Sequence, residues 1–147
     1  DYLVFIIADC GSSNELHQEI GRYLGVEKHM LARIYTTEKG DRVRSKSEVI
    51  IANLLHRSGI PYEYEKKLEY EKGKLIEPDF TITLPDGREL YWEHLGMLGV
   101  ESYDKRWLTK QEIYENYFCG KLIVTYEGAA ITDSAVDLIN KIKNGYY

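Results

Sequence analysis

The sequence predicts an α/β fold in which helices flank a mixed central sheet, and three observations support it. A helix near residues 47–58 precedes three strand segments. The turn Pro85-Asp86-Gly87 joins two of these segments as a hairpin. A second long helix then separates the third strand from a fourth, as parallel pairing requires. An early hairpin and a late crossover helix together predict antiparallel and parallel neighbours in one sheet.

Local patterns predict each element in turn. The first helix follows Ser45, a favourable N-cap, and ends before Gly59 and Pro61, which both terminate helices. The later strands alternate apolar or aromatic residues with polar ones, and the last helix is amphipathic. These elements are expected as strands at 62–70, 76–84 and 88–94, a helix at 101–118, a strand at 121–126 and a helix at 132–143.

Residues 1–43 are predicted as an N-terminal strand and helix extension, or the end of a preceding domain, and residues 44–147 as the core. Residues 2–8 are β-rich, and Ser12 with Glu15 forms a capping box that starts a helix. An alternative interprets Asp9 to Asn14 as a phosphate-binding turn, but Gly11 alone lacks the glycine-rich fingerprint. Because the chain begins inside an apolar run, a fragment of a longer polypeptide is expected.

Composition is typical of one globular domain. The 147 residues are 44% hydrophobic and 29% charged, which suits a single core. The longest apolar run, residues 3–8, is too short to span a bilayer, so a cytoplasmic protein without membrane contact is expected. Cys10 and Cys119 lack metal-ligand spacing, and both are interpreted as buried thiols.

The charge distribution leaves two interpretations open. The net charge of −5 argues mildly against nucleic acid, whose affinity comes largely from Lys and Arg. Residues 28–46, however, contain six basic and two acidic side chains. This segment is either a phosphate-binding track or a solvated basic loop. The six basic residues are Lys28, Arg33, Lys39, Arg42, Arg44 and Lys46.

Two acidic residues flank the predicted hairpin at similar distances from its turn. Asp79 precedes Phe80 on one strand, and Glu93 follows Trp92 on the next. If the large apolar side chains pack inward, both acids project together on the opposite face. Carboxylates are the hard ligands that Mg²⁺ prefers, and a divalent ion supports phosphodiester hydrolysis. The pair therefore predicts a metal site.

These residues resemble a known family. Glu48 on the first helix, then Pro78-Asp79-Phe80 and Trp92-Glu93-His94, are similar to the PD-(D/E)xK nuclease superfamily, over about residues 44–126. The resemblance implies the restriction-endonuclease-like αβββαβ core. It also implies that Asp79 and Glu93 bind Mg²⁺ or Mn²⁺, that Glu48 assists as a further metal-site residue, and that a nearby lysine helps activate water.

The sequence departs from this family at Leu95, where the signature lysine is expected. Some members place that lysine on the following helix, and Lys110 is the preferred substitute here, with Lys105 as its competitor. Lys110 and Tyr114 share a helical face. Similar helix motifs occur in nucleases of the recombination-helicase type, so the resemblance extends to nuclease domains appended to helicases or other ATPases.

Several of these residues also have structural interpretations. Glu48 completes a capping box with Ser45, a role that competes with metal binding. His94 is interpreted as a packed or surface histidine more readily than as a catalytic base. Glu63 and Glu65 share a strand face. Two interpretations are open: one of them enters the metal shell, or both are solvated charges at a sheet edge.

The leading hypothesis is a Mg²⁺- or Mn²⁺-dependent deoxyribonuclease in repair or phage defence, with Glu48, Asp79, Glu93 and Lys110 as its catalytic residues. DNA is the expected substrate, and a fused or associated helicase or ATPase is the expected partner. The alternative is an inactive nuclease fold that binds nucleic acid or scaffolds such a motor. The expectation of DNA comes from the resemblance. The residues by themselves do not distinguish DNA from RNA or an endonuclease from an exonuclease, and they indicate no oligomeric state.

Overall fold

The structure is a computed structural model that describes residues 32–147. The strand and the helix predicted before residue 25 lie outside these residues. Lys28 and Cys10 lie outside them as well. In the described part of the chain, the order is β1 (Tyr35–Thr36), β2 (Arg42–Val43), α1 (Lys46–Arg57), β3 (Tyr62–Tyr64), β4 (Leu68–Glu71), β5 (Lys74–Ile76), β6 (Phe80–Thr83), β7 (Glu89–Leu95), α2 (Glu101–Tyr117), β8 (Leu122–Tyr126) and α3 (Ile131–Lys143).

A four-stranded mixed sheet forms the centre of this part of the chain, in the order β3-β6-β7-β8. β6 lies antiparallel to both β3 and β7, whereas β7 and β8 are parallel. Helix α2 provides the crossover that parallel pairing needs. The predicted α/β fold with a mixed sheet is therefore confirmed. β1 with β2 and β4 with β5 form two separate hairpins.

The side chains of β7 alternate between two different environments. Leu90 and Trp92 enter the main apolar core, together with residues of α1 and α3. Tyr91 and Glu93 project from the opposite face, where the ring of Tyr91 lies 6.0 Å from that of Tyr114 on α2. Helices therefore cover both faces of the sheet, and α2 covers the face that carries Glu93.

The prediction of one continuous strand at 62–70 was wrong. The chain leaves β3 at Glu65, which adopts a positive φ of 48°, and continues into the separate β4–β5 hairpin. The left-handed region costs a residue with a side chain about 1–2 kcal/mol. Two ion pairs hold the Glu65 carboxylate, from Arg44 and Arg33, so tertiary contacts stabilise a conformation that local propensity disfavours.

The strand predicted at 76–84 is also interrupted. β5 ends at Ile76 and β6 begins at Phe80, with Pro78 between them. Proline has no N–H to donate to a strand ladder, which explains the break. Asp79 therefore lies immediately before β6 rather than within a continuous strand.

The remaining local predictions vary in outcome. Ser45 caps α1 as predicted, and Gly87 takes the positive φ that the hairpin turn needs. Cys119 is exposed, so its prediction as a buried thiol was wrong. Among residues 32–147, no helix has the length and apolar character required to cross a membrane.

Candidate active site

A cleft of about 540 Å³ lies over the α2 side of the sheet. One wall comes from α2, and the other comes from the β4–β5 hairpin with the segment that follows it. Asp79, Glu93 and Leu95 contribute from the sheet and its edge. The volume falls within the range of about 300–1,000 Å³ found for ligand pockets.

The structure brings Asp79 and Glu93 to the same cleft. β6 and β7 pair with Phe80 opposite Trp92, and one further step along this register places Asp79 opposite Glu93. Both are largely buried, with exposed fractions of 8% and 4%. The Asp79 Oδ2 atom accepts a hydrogen bond of 2.7 Å from the His94 backbone N–H. The backbone of β7 therefore fixes the orientation of the Asp79 carboxylate.

Helix α2 supplies two side chains to Glu93. Lys110 Nζ lies 2.6 Å from Glu93 Oε1, and Tyr114 donates a hydrogen bond of 2.6 Å to the same oxygen. Lys110 also donates to the backbone oxygen of Glu77 at 2.7 Å. The two residues are one helical turn apart. The helix face predicted to carry the relocated lysine thus reaches the carboxylate.

Lys105, the competing lysine, lies elsewhere. Its side chain is 73% exposed and pairs with Glu101 on the same helix, at 2.8 Å. It is not among the residues that line the cleft. Between the two candidates, only Lys110 contacts a cleft carboxylate in the described part of the chain.

Burial raises the pKa of Glu93 to about 7. The positive charge of Lys110 opposes this rise, whereas the nearby charge of Asp79 adds to it. Burial and the Glu93 carboxylate also raise the pKa of the Tyr114 hydroxyl, so this hydroxyl stays a hydrogen-bond donor. Two interacting carboxylates therefore lie beside one lysine at this point of the cleft.

The raised pKa of buried Glu93 leads to a stability prediction for Glu93→Gln. The folded-state pKa of about 7 lies above the ordinary value of 4.5, so the stability that protonated Glu93 contributes is complete below about pH 4.5 and lost as pH rises through 7. Gln does not titrate. As pH rises from about 5 to about 8 in EDTA, the free energy of unfolding of the variant should increase by about 2–3 kcal/mol relative to that of wild type. Urea unfolding measures this difference.

The control for this prediction is Glu115→Gln, which changes an exposed glutamate of the same helix as Lys110. Its stability should stay close to that of wild type across the same pH range, because substitutions at exposed positions away from the core usually change stability by less than about 0.5 kcal/mol. A pH-independent difference for Glu93→Gln as well would contradict the raised pKa.

Glu48 forms the capping box that the sequence predicted as an alternative. Its Oε2 atom accepts hydrogen bonds from the backbone N–H of Ser45 and Arg44, at 3.0 and 2.8 Å, and from the hydroxyl of Tyr64 at 3.2 Å. The side chain is completely buried and is not among those that line the cleft. The structure therefore places Glu48 behind Arg44, which does line the cleft. A direct role of Glu48 in metal binding stays a prediction.

The basic segment is largely engaged within the chain. Arg33 and Arg44 pair with Glu65, Lys39 donates to the backbone oxygen of Tyr62, and Arg42 donates to that of Arg33. These contacts favour a structural role for most of the segment over a continuous phosphate track. Of these four cations, Arg44 alone lines the cleft.

Arg44 is held at the cleft by a two-point contact. Its Nε and Nη2 atoms lie 2.8 and 3.1 Å from the two Glu65 carboxylate oxygens. Burial of Glu65 favours its neutral form, but Arg44 and Arg33 overcome this effect and hold its pKa at about 2. Glu65 is therefore an ionised partner of arginines, whereas Glu63 is exposed. The sequence suggested a metal ligand or a solvated edge charge at Glu65 and missed this pairing.

His94 lies on the other side of β7, where it is almost completely buried. Its Nδ1 atom is 2.9 Å from Thr125 Oγ1, and its Nε2 atom is 2.9 Å from Glu127 Oε2. Ser47 at the start of α1 donates to the same Glu127 carboxylate. The network ties β7, β8 and α1 together. His94 thus acts as a packed residue whose backbone, not its ring, contacts Asp79.

Comparisons with known proteins place this chain beside a much longer relative. The chain is similar to the uncharacterized protein MJ1519 of Methanocaldococcus jannaschii, with 43% identity over 76 residues. These residues make up 52% of this chain and 6% of that protein, so the chain spans a small fraction of the relative's length. No family model matches the chain. No solved structure matches it either.

Proposed function

We propose that this chain is a metal-dependent nuclease of the PD-(D/E)xK type that hydrolyses phosphodiester bonds, with DNA as its substrate. One observation carries the proposal. Lys110 Nζ lies 2.6 Å from Glu93 Oε1, in the cleft that Asp79 also lines. The chain therefore offers two carboxylates and a lysine together, although Leu95 occupies the usual lysine position.

The order of elements supports a restriction-endonuclease-like core. α1 is followed by β3, β6 and β7, then by the crossover helix α2 and the parallel strand β8. This is the αβββαβ order, and the β4–β5 hairpin is an insertion between the first two core strands. The insertion adds a wall to the cleft, so it bears on how substrate enters.

The residues present fit a Mg²⁺ or Mn²⁺ ion. Both contacts of Glu93 from α2 fall on Oε1, and Oε2 has no hydrogen-bond partner among residues 32–147. No cluster of three or more acidic, His or Cys ligands occurs in this described range. Mg²⁺ commonly binds through one or two protein carboxylates and completes its shell with water and phosphate oxygens. Asp79 and Glu93 are the residues that would hold it.

The bound ion would polarise the phosphate and lower the pKa of a bound water. The chain's own residues would prepare the site for this chemistry. The His94 N–H orients Asp79, and Tyr114 orients Glu93. Lys110 contributes a positive charge beside the carboxylates, where negative charge develops on the phosphate during hydrolysis. Glu48 positions the backbone of Arg44 at the edge of the cleft.

The expected partners follow from this proposal. DNA is the substrate, and a helicase or other ATPase fused to or associated with the domain is the proposed motor, in repair or phage defence. The match to a small part of a far longer relative fits a domain carried within a larger polypeptide. A cytoplasmic location remains a prediction from the sequence.

An alternative function is favoured by Leu95, which leaves the signature incomplete. In that case the domain is an inactive nuclease fold that binds nucleic acid or scaffolds a motor. The two functions differ in turnover, because an inactive domain binds nucleic acid in a salt-dependent manner but cleaves none.

Removal of the metal provides the test. Purified protein is incubated with single-stranded DNA, duplex DNA and RNA, each with Mg²⁺, Mn²⁺ or EDTA, and products are resolved on denaturing gels. We expect cleavage of DNA with Mg²⁺ or Mn²⁺ and none with EDTA. Absence of cleavage in every metal lane would overturn the nuclease proposal and favour the inactive module. Cleavage that persists in EDTA would overturn the metal dependence.

A further inference from the structure

The cleft-facing side of α2 carries more than Lys110, the proposed catalytic lysine. Tyr103, Arg106, Trp107 and Lys110 all line the cleft, and their spacing of three and four residues places them along one helical face. Tyr103 and Trp107 are only half-buried, so each aromatic side chain presents part of its surface to the cleft. This row of residues is the α2 stripe.

The opposite wall has a similar character. Leu75 on β5 lines the cleft, yet its side chain is 52% exposed. Lys67, at the base of the same hairpin, is exposed and has no ion-pair partner in the described part of the chain. An apolar side chain and a cation thus face the aromatic and cationic α2 stripe, and the proposed metal-binding acids lie between the walls.

We propose that this cleft binds single-stranded nucleic acid, with bases stacked on Trp107 and Tyr103 and backbone phosphates near Lys67 and Arg106. The inference rests on the proposed function, since it names the form of nucleic acid that reaches the same site. Aromatic side chains combined with cations are typical of single-strand binding, because each base offers a π-face and each nucleotide offers a phosphate.

The geometry favours a single strand over a duplex. In a duplex, neighbouring bases cover each other's faces, so Trp107 and Tyr103 have no base face to stack on. Unstacked bases offer that surface. The volume of about 540 Å³ is that of a small-ligand pocket, and Asp79 and Glu93 are almost completely buried at its base. A single strand with unstacked bases fits both the small volume of the cleft and the depth of its acids.

Binding by the Asp79→Asn variant in EDTA tests this inference without cleavage. The probes are a short fluorescein-labelled oligothymidylate and a labelled mixed-sequence duplex of equal length, measured by fluorescence anisotropy. We expect the single strand to bind at least about tenfold more tightly. Adding Trp107→Ala should weaken single-strand binding about tenfold, within the range of one lost stacking contact.

The matched control is Leu108→Ala in the same background. Leu108 is adjacent to Trp107 but is 59% exposed and does not line the cleft, so its loss should leave affinity unchanged within about twofold. Thermal unfolding of both variants identifies a folding defect. If Trp107→Ala unfolds, Trp107→Phe replaces it and should retain most of the affinity, since phenylalanine also stacks.

Tryptophan emission gives a second, direct measurement. The chain has two tryptophans. Trp92 is fully buried and donates a hydrogen bond to Thr125, whereas Trp107 lines the cleft. The unlabelled oligothymidylate should quench the tryptophan fluorescence of the Asp79→Asn protein. This quenching should disappear when Trp107 is also replaced. Quenching that survives substitution of Trp107 would contradict stacking at this position.

The outcomes separate this inference from the nuclease proposal. Suppose that the single strand binds and quenches Trp107, but wild type cleaves nothing with any metal. This result would contradict the nuclease proposal and support single-strand binding. Suppose instead that wild type cleaves with metal, but the duplex binds as tightly as the single strand or more tightly, or Trp107→Ala has no effect. This result would support the nuclease proposal and overturn single-strand binding. Absence of binding to either probe overturns it as well.

Discussion

Replacing Asp79 with Asn should lower the rate of phosphodiester cleavage about a thousandfold, since loss of a metal-binding carboxylate removes several kcal/mol of transition-state stabilisation. The substitution keeps the size of the side chain and one oxygen that accepts the hydrogen bond now made by the His94 N–H at 2.7 Å. The fold should therefore persist. Single-turnover cleavage with saturating Mg²⁺ measures the rate, and circular dichroism checks the fold.

The matched control is Asp133→Asn, which makes the same chemical change at an exposed position of α3. It should cleave within about twofold of wild type, because surface substitutions remote from a site have small effects. Prepared in parallel, it also detects a contaminating nuclease, which would appear equally in both samples. Wild-type rates in Asp79→Asn would remove Asp79 from the mechanism.

The parts of the fold that the sequence predicted correctly are those determined by local chemistry. Ser45 caps α1, and Gly59 and Gly87 adopt the positive φ that ends the helix and closes the hairpin. The break at Glu65 has no such local signal. Arg44, twenty-one residues earlier, holds its carboxylate, and this contact exists only after the chain has folded. Local propensity therefore predicted a continuous strand.

The convergence of Asp79 and Glu93 was predictable because a tight hairpin fixes register. The pairing of Phe80 with Trp92 follows from the position of the turn, and the neighbouring acids share a face by alternation. The role of Lys110 as the relocated lysine was proposed from a resemblance and a helical spacing. The structure supplies the geometry, with Lys110 Nζ 2.6 Å from Glu93 Oε1.

The rest of the site depends on contacts between distant segments. Thr125 and Glu127 meet His94 because β8 pairs parallel to β7 after a long crossover. The register of such a pair is not set by a turn, so no local pattern predicts it. Trp107, in contrast, was detectable. It lies three residues before Lys110 and four after Tyr103, a spacing that indicates one shared helical face.

Replacing Lys110 with Met should reduce cleavage at least about a hundredfold, which is the usual effect of losing a group that stabilises developing charge or transfers a proton. Met keeps much of the side-chain length and removes the ammonium group that lies 2.6 Å from Glu93. The loss should fall mainly on kcat rather than KM if the charge acts in the transition state. Steady-state kinetics with a labelled oligonucleotide measures both constants.

Lys105→Met is the matched control, because Lys105 occupies the same helix but pairs with Glu101 at an exposed position. An exposed pair of this kind contributes little to stability, and its loss should leave kcat within about twofold of wild type. The reverse result, a large loss in Lys105→Met and none in Lys110→Met, would assign the lysine role to the competitor. Equal activity of both variants would mean that neither lysine replaces the one missing at Leu95. The charge must then come from elsewhere in the cleft, where Arg44, Lys67 and Arg106 are the remaining candidates.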